Sequence, residues 1–105
     1  MICAKLLTRN GRLCGFDVQG HSGQAVSGRD IVCAAVSSAV YMAANTLTEV
    51  SGCNADIHEA DGTLTFTICE ADIDKAQEVL KGLLIHLQGL VAQYPTFIKI
   101  QLTEV

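Results

Sequence analysis

One histidine and one cysteine stand where they could do chemistry together. His21 lies inside Gly20-His21-Ser22-Gly23, and Cys33 inside Gly28-Arg29-Asp30-Ile31-Val32-Cys33. A thiol attacks as its thiolate, and about 3% of an ordinary thiol is ionised at pH 7. An adjacent imidazolium raises that fraction and can later protonate a leaving amine. The unpaired amides of a helix's first turn favour the thiolate too, and they can hold the oxyanion of a tetrahedral intermediate. Asp30 has the side chain of a helix N-cap, which would make Cys33 the third helical residue. Thiolate, imidazole and helix amides together suit acyl transfer.

Each residue also has a plainer reading. A lone cysteine in an alanine-rich helix serves well as a small buried hydrophobe. A lone histidine among glycines serves in a turn, and Asp30 reads most simply as a helix cap. A separation of 12 residues between His21 and Cys33 decides nothing unless the intervening chain folds back.

The elements that must position this pair are legible in the pattern. Ile2–Thr8 and Leu13–Gln19 flank Asn10-Gly11, a dipeptide favouring the tight turn of a two-residue hairpin. With Arg9 opposite Arg12, that hairpin would place Cys3 opposite Val18 and Cys14 opposite Leu7. Residues 20–28 hold three glycines and two serines, the composition of a loop. A helix rich in small residues is predicted from Ile31 to about Val50, closed by Ser51-Gly52. Cys53–Ala60 and Thr63–Cys69 bracket Asp61-Gly62, a second hairpin signal. Leu64, Phe66 and Ile68 alternate with threonines, giving one buried face and one wetter face. Ile73, Ala76, Leu80, Leu83, Leu84, Leu87 and Val91 recur at helical spacing, predicting a second helix from about Asp72 to Gln93. Pro95 stops it, and Phe97–Leu102 alternates as a last strand.

The expected fold is therefore α+β in the order ββαββαβ. It is a two-layer arrangement of about five strands, mixed or antiparallel, with two helices on one face. At 105 residues the whole chain, 1–105, is expected to form a single domain. The outer sheet face should be mixed in polarity, with enough large side chains for a dimer.

Composition narrows the function. A formal net charge of -4 offers no basic footprint for nucleic acid. No run approaches the ~18 uninterrupted apolar residues of a membrane span, and the first residues read as a strand rather than a signal peptide. A cytoplasmic protein is expected. Five cysteines without a C-x-x-C pair read as free thiols, not a disulfide framework or a zinc site. Cys3, Cys14, Cys53 and Cys69 read as packing residues of strands, His58 as a surface group and His86 as packing or surface. No metal or other cofactor is called for.

The residues Gly20-His21-Ser22-Gly23, followed by Gly28-Arg29-Asp30-Ile31-Val32-Cys33-Ala34-Ala35-Val36-Ser37, closely resemble the signature of the ribosomal-processing cysteine protease family. The resemblance covers nearly the whole chain, in length and in element order. It implies a catalytic dyad of His21 and Cys33, supported by Asp30 and Ser37, with Gly20, Ser22, Gly23 and Gly28 in a substrate loop that orders on binding. It also implies a homodimer without cofactor. The implied substrate is the precursor of large-subunit ribosomal protein twenty-seven, cut after an aromatic residue to remove an N-terminal extension. An apolar pocket beside Cys33 should follow. The alternatives are a non-catalytic ribosome-associated binding module on the same fold and a thiol-transfer protein using Cys33 alone. The missing C-x-x-C partner argues against the latter. A phosphate-binding loop is weaker still, because no lysine follows the glycines.

Overall fold

The computed structural model describes residues 1–20 and 27–105, with the side chains of residues 27–30 outside the description. Five strands and two long helices follow one another as β1 (Ile2–Arg9), β2 (Arg12–Gln19), α1 (Ser27–Asn45), β3 (Ala55–Ala60), β4 (Thr63–Ile68), α2 (Ile73–Gln93) and β5 (Ile98–Glu104). A wider helical turn, Thr46–Val50, extends α1, and a short tight one, Glu70–Asp72, leads into α2. The strands form one mixed sheet in the order β3-β4-β2-β1-β5. β1 pairs antiparallel with β2 and parallel with β5, while β4 bridges β2 and β3 antiparallel. This is the α+β, ββαββαβ arrangement that the sequence patterning predicts.

Alternation and register assign the two faces. One row across the sheet runs Leu102–Leu6–Phe16–Phe66–Ile57. Its Phe16 and Phe66 rings stack with centroids 5.0 Å apart. The buried residues of α1 (Val32, Cys33, Val36, Val40, Ala43) and of α2 (Ile73, Ala76, Leu80, Leu83, Leu87) join this face in a single core. The opposite face carries Lys5, Asp17, Gln101, Thr65 and His58 in one row, so it is mixed and mostly polar. The segment Ile31–Val50 is long and apolar enough to cross a membrane by length and composition alone. Here Val32, Val36, Val40 and Leu47 are fully buried in the protein, which accounts for that apolarity as core.

The first hairpin departs from the simple register. Arg9 does face Arg12, but the pairing shifts between Leu7 and Thr8, so Leu7 faces Gly15 and Cys3 faces Gln19. Cys14 is the extra residue of a bulge, which breaks the strict alternation of the strand. Leu13 pairs with Thr8 on β1 but lies beyond the pairing of β2 with β4, which starts at Gly15, and α2 meets its backbone there. The Gln77 side-chain amide accepts from the Leu13 N–H (3.2 Å) and donates to the Leu13 carbonyl (2.7 Å).

Asp72 ties the second hairpin to α2. Although it precedes that helix, its carboxylate caps no α2 amide. It accepts instead from the Asn54 N–H at 2.9 Å and meets the Lys75 ammonium at 3.3 Å. The backbone hydrogen bond from Asn54, helped by Lys75, holds the Asp72 pKa below the usual carboxylate range. A lowered pKa contributes stability that is complete above the ordinary range and lost as pH falls through the lowered value. Asp72→Asn is therefore expected to destabilise at neutral pH and to converge on wild type in acid. Urea unfolding of both proteins at about pH 7 and about pH 3 checks this.

Candidate active site

Cys33 lies on α1 and is almost fully enclosed, with 6% of its surface exposed. Because α1 begins at Ser27, Cys33 is the seventh helical residue and not the third. Asp30 accordingly lies within the helix and is not its N-cap, and Gly28 belongs to the helix rather than the loop. The first-turn amides lie one turn ahead of Cys33. A helical side chain leans back toward the N-terminus, so the thiol is still directed to that end of α1.

Positions four apart share a helix face, and Cys33, Ser37 and Tyr41 form such a line. Ser37 is half-buried one turn beyond Cys33. Tyr41 ends the line by donating its hydroxyl to the Glu59 carboxylate on β3. That hydrogen bond pushes the Tyr41 phenol above its ordinary pKa. The line therefore runs along the side of α1 that turns toward the β3 edge of the sheet. Sequence reasoning passed over Tyr41, although its eight-residue spacing from Cys33 was the signal.

His21, Ser22 and Gly23 lie outside the described residues, as do the side chains of Asp30 and Arg29. The residue before His21 is held closely. Gly20 donates its N–H to the Gly62 carbonyl at 2.8 Å and has φ +88°. A Cβ there would meet the Met1 carbonyl oxygen at 2.8 Å, so both conformation and space call for glycine. The chain thus enters the His21 segment from a fixed point beside the tip of the second hairpin.

The other four cysteines range from buried to exposed. All five are free thiols. Burial pushes the Cys14 thiol up in pKa, and burial reinforced by Asp72 does the same at Cys53. Both are therefore kept from the reactive thiolate form. Cys69, beyond the end of β4, is exposed rather than packed, and Cys3 is half-buried on the outer sheet face. His58 and His86 are exposed. Among the described residues no group of three or more His, Cys, Asp or Glu converges as metal ligands would.

A groove of about 630 Å³ runs between α1 and α2, lined by Ala35, Ala39, Met42, Leu83 and His86 among others. At 100° per residue its α1 lining lies roughly 200° round the helix from Cys33. It is therefore not the apolar pocket expected beside the thiol.

Comparison with known proteins agrees with this arrangement. The family model described as "Cysteine protease Prp" matches residues 1–99. The ribosomal processing cysteine protease Prp of Bacillus subtilis is 30% identical over 89 residues, covering 78% of this chain and 79% of its own. The crystal structure of SMU.848 from Streptococcus mutans superposes with a TM-score of 0.83 at 27% identity, over 100% of this chain and 96% of that one. The Prp of Staphylococcus aureus, solved with a substrate peptide, has a TM-score of 0.89 over 98% of this chain and 100% of that one. At 24% identity, that last likeness speaks for the fold.

Proposed function

This chain belongs to the Prp family of cysteine proteases, and from that premise we propose that it removes the N-terminal extension of a ribosomal protein precursor. The substrate in this reading is large-subunit ribosomal protein twenty-seven. Cys33 is the nucleophile and His21 the base and acid. The single observation that supports the assignment is the family match over residues 1–99, which spans the His21 and Cys33 motifs.

His21 takes the thiol proton, and the Cys33 sulfur attacks the scissile carbonyl carbon. The tetrahedral intermediate collapses as protonated His21 gives its proton to the leaving amine, freeing the mature protein's N-terminus. The extension stays on Cys33 as a thioester until water, deprotonated by His21, hydrolyses it and the thiol is restored. In this reading the oxyanion meets free amides at the start of α1, one turn ahead of Cys33. Asp30 and Ser37 support the pair from the same helix. Gly20, Ser22 and Gly23 belong, in this reading, to the segment that meets the substrate, next to Gly28 at the start of α1. The enzyme acts in the cytoplasm, without a cofactor, as a homodimer. Exposed Ile31, Met42 and Ile85 on the helix layer support self-association there.

The test is mass spectrometry of a synthetic peptide spanning the extension junction. A single cut after an aromatic residue is expected with wild type, reduced by at least about a hundredfold in His21→Ala. An intact peptide with wild-type protein, or undiminished cutting by His21→Ala, overturns the reading.

A further inference from the structure

The edge strand β3 is tied to α1 by the Tyr41–Glu59 hydrogen bond, on the helix that carries Cys33, and its outer side has no partner within the sheet. Resting on the function proposed above, we infer that this edge binds a basic, extended segment of the substrate as an added strand. Such pairing supplies affinity through main-chain hydrogen bonds, while alternate side chains supply specificity.

The ladder tells which backbone groups are free. Cys69 donates its N–H to the Asn54 carbonyl at 2.9 Å, and β3 pairs Asp56 with Thr67, His58 with Thr65 and Ala60 with Thr63. Antiparallel hydrogen-bonded pairs alternate with non-bonded ones. Asn54, Asp56, His58 and Ala60 therefore face β4 with their backbone groups. Ala55, Ile57 and Glu59 turn theirs outward. The side chains of these three residues point to the helix side of the sheet, in the rows of Ile68, Phe66 and Leu64. Ile57 is 51% exposed although it stands beside buried Phe66. Glu59 reaches Tyr41, which is two helical turns, or about 12 Å, from Cys33 along α1. That span is about four residues of extended peptide.

Charge selects the occupant. From Glu49 to Asp74 the sequence holds seven carboxylates and no lysine or arginine. Glu70, Asp72 and Asp74 are met by Arg9, Arg12 and Lys75. Asp56, Glu59 and Asp61, on β3 and its turn, face no cation in an ion pair among the described residues. A ribosomal protein must neutralise RNA phosphates and carries lysine and arginine to do so. The opposite edge, β5, is a poorer dock. It lies at the far side of the sheet from β3, and Glu104 there is engaged by Thr8 and Asn10.

The test uses the junction peptide extended to include its basic residues. With inactive Cys33→Ala protein, bound peptide is expected to slow amide exchange at Ile57 and Glu59 by at least about tenfold. In the active enzyme, Ile57→Pro removes an outward N–H without breaking a ladder bond, and Glu59→Lys reverses one charge. Each is expected to raise KM by about tenfold with kcat within about twofold. Thermal melts establish that the variants fold, and Glu59→Lys carries the kinetic test if Ile57→Pro does not. Unchanged exchange at Ile57 and Glu59 with bound peptide, or wild-type KM in folded variants, overturns the inference. The carboxylates would then only guard an open edge. If wild type cuts no junction peptide, the proposed substrate fails and this inference falls with it.

Discussion

Cys33→Ala is expected to lower peptide cleavage by at least about a thousandfold while the protein still folds. The two halves of that result have separate physical grounds. Alanine removes the only atom that can form the thioester, and no neighbouring thiol can substitute for it. Cys14 and Cys53 are held in the protonated form by burial, and Cys69 lies beyond the end of β4. The structural cost is small because the change deletes a single sulfur from a helix whose Val32, Val36 and Val40 stay packed. Its effect should be within about 2 kcal/mol, as expected for a small buried side chain shortened to alanine. Cleavage assays alongside denaturant melts check both halves. An unfolded Cys33→Ala would move the residue's role from chemistry to packing.

The second large effect is expected at Gly15. A Cβ at this position would lie 2.0 Å from the Phe66 carbonyl oxygen on β4. No rotamer relieves that clash, because the obstructing atom is backbone. Gly15→Ala must therefore spread β2 from β4 or shift the register that stacks Phe16 on Phe66. The β3–β4 hairpin is joined to the rest of the sheet through β2 alone. The expected loss is about 3 kcal/mol or more, above the usual cost of an overpacked site. Gly89→Ala is the matched control. It sits in α2 with nothing within 4 Å of the new Cβ, so a gain of about 0.5–1 kcal/mol is expected from helix propensity. Urea melts of the pair separate a steric effect from a general intolerance of alanine.

Much of the fold is written in short-range patterns. Asn10-Gly11 forms the predicted tight turn, with φ of 54° and 78° at the two residues. The alternation of Leu64, Phe66 and Ile68 with threonines survives intact as buried and wetter faces. The α2 stripe is buried as its spacing predicts, with Leu84 and Val91 at its half-buried margin. What escapes such patterns is set by tertiary contact. The bulge at Cys14 shifts the first hairpin, and the Gln77 amide that satisfies Leu13 is 64 residues away in sequence. The start of α1 is misplaced for a related reason. Asp30 resembles a cap by residue type, but Ser27 and Gly28 continue the helix ahead of it. That change weakens a first-turn role for Cys33 and leaves its direction along α1 to carry the chemistry.

The pairing of Tyr41 with Glu59 was equally hidden, because it joins a helix to a strand 18 residues on. Once α1 is seen to turn one face toward β3, Cys33, Ser37 and Tyr41 become a line instead of three separate residues. The motif residues of the sequence thus named the chemistry. The sheet order then showed β3, the strand that Tyr41 meets, to be a free edge.

The most direct test of the central claim is to treat the protein with a peptide chloromethyl ketone ending in an aromatic residue and map the label by mass spectrometry. The account predicts one label per chain, on Cys33, with loss of activity in proportion to labelling. Cys3, Cys14, Cys53 and Cys69 serve as internal controls for nonspecific alkylation. Inactivation with the label on one of those four, or full activity with Cys33 labelled, would contradict it.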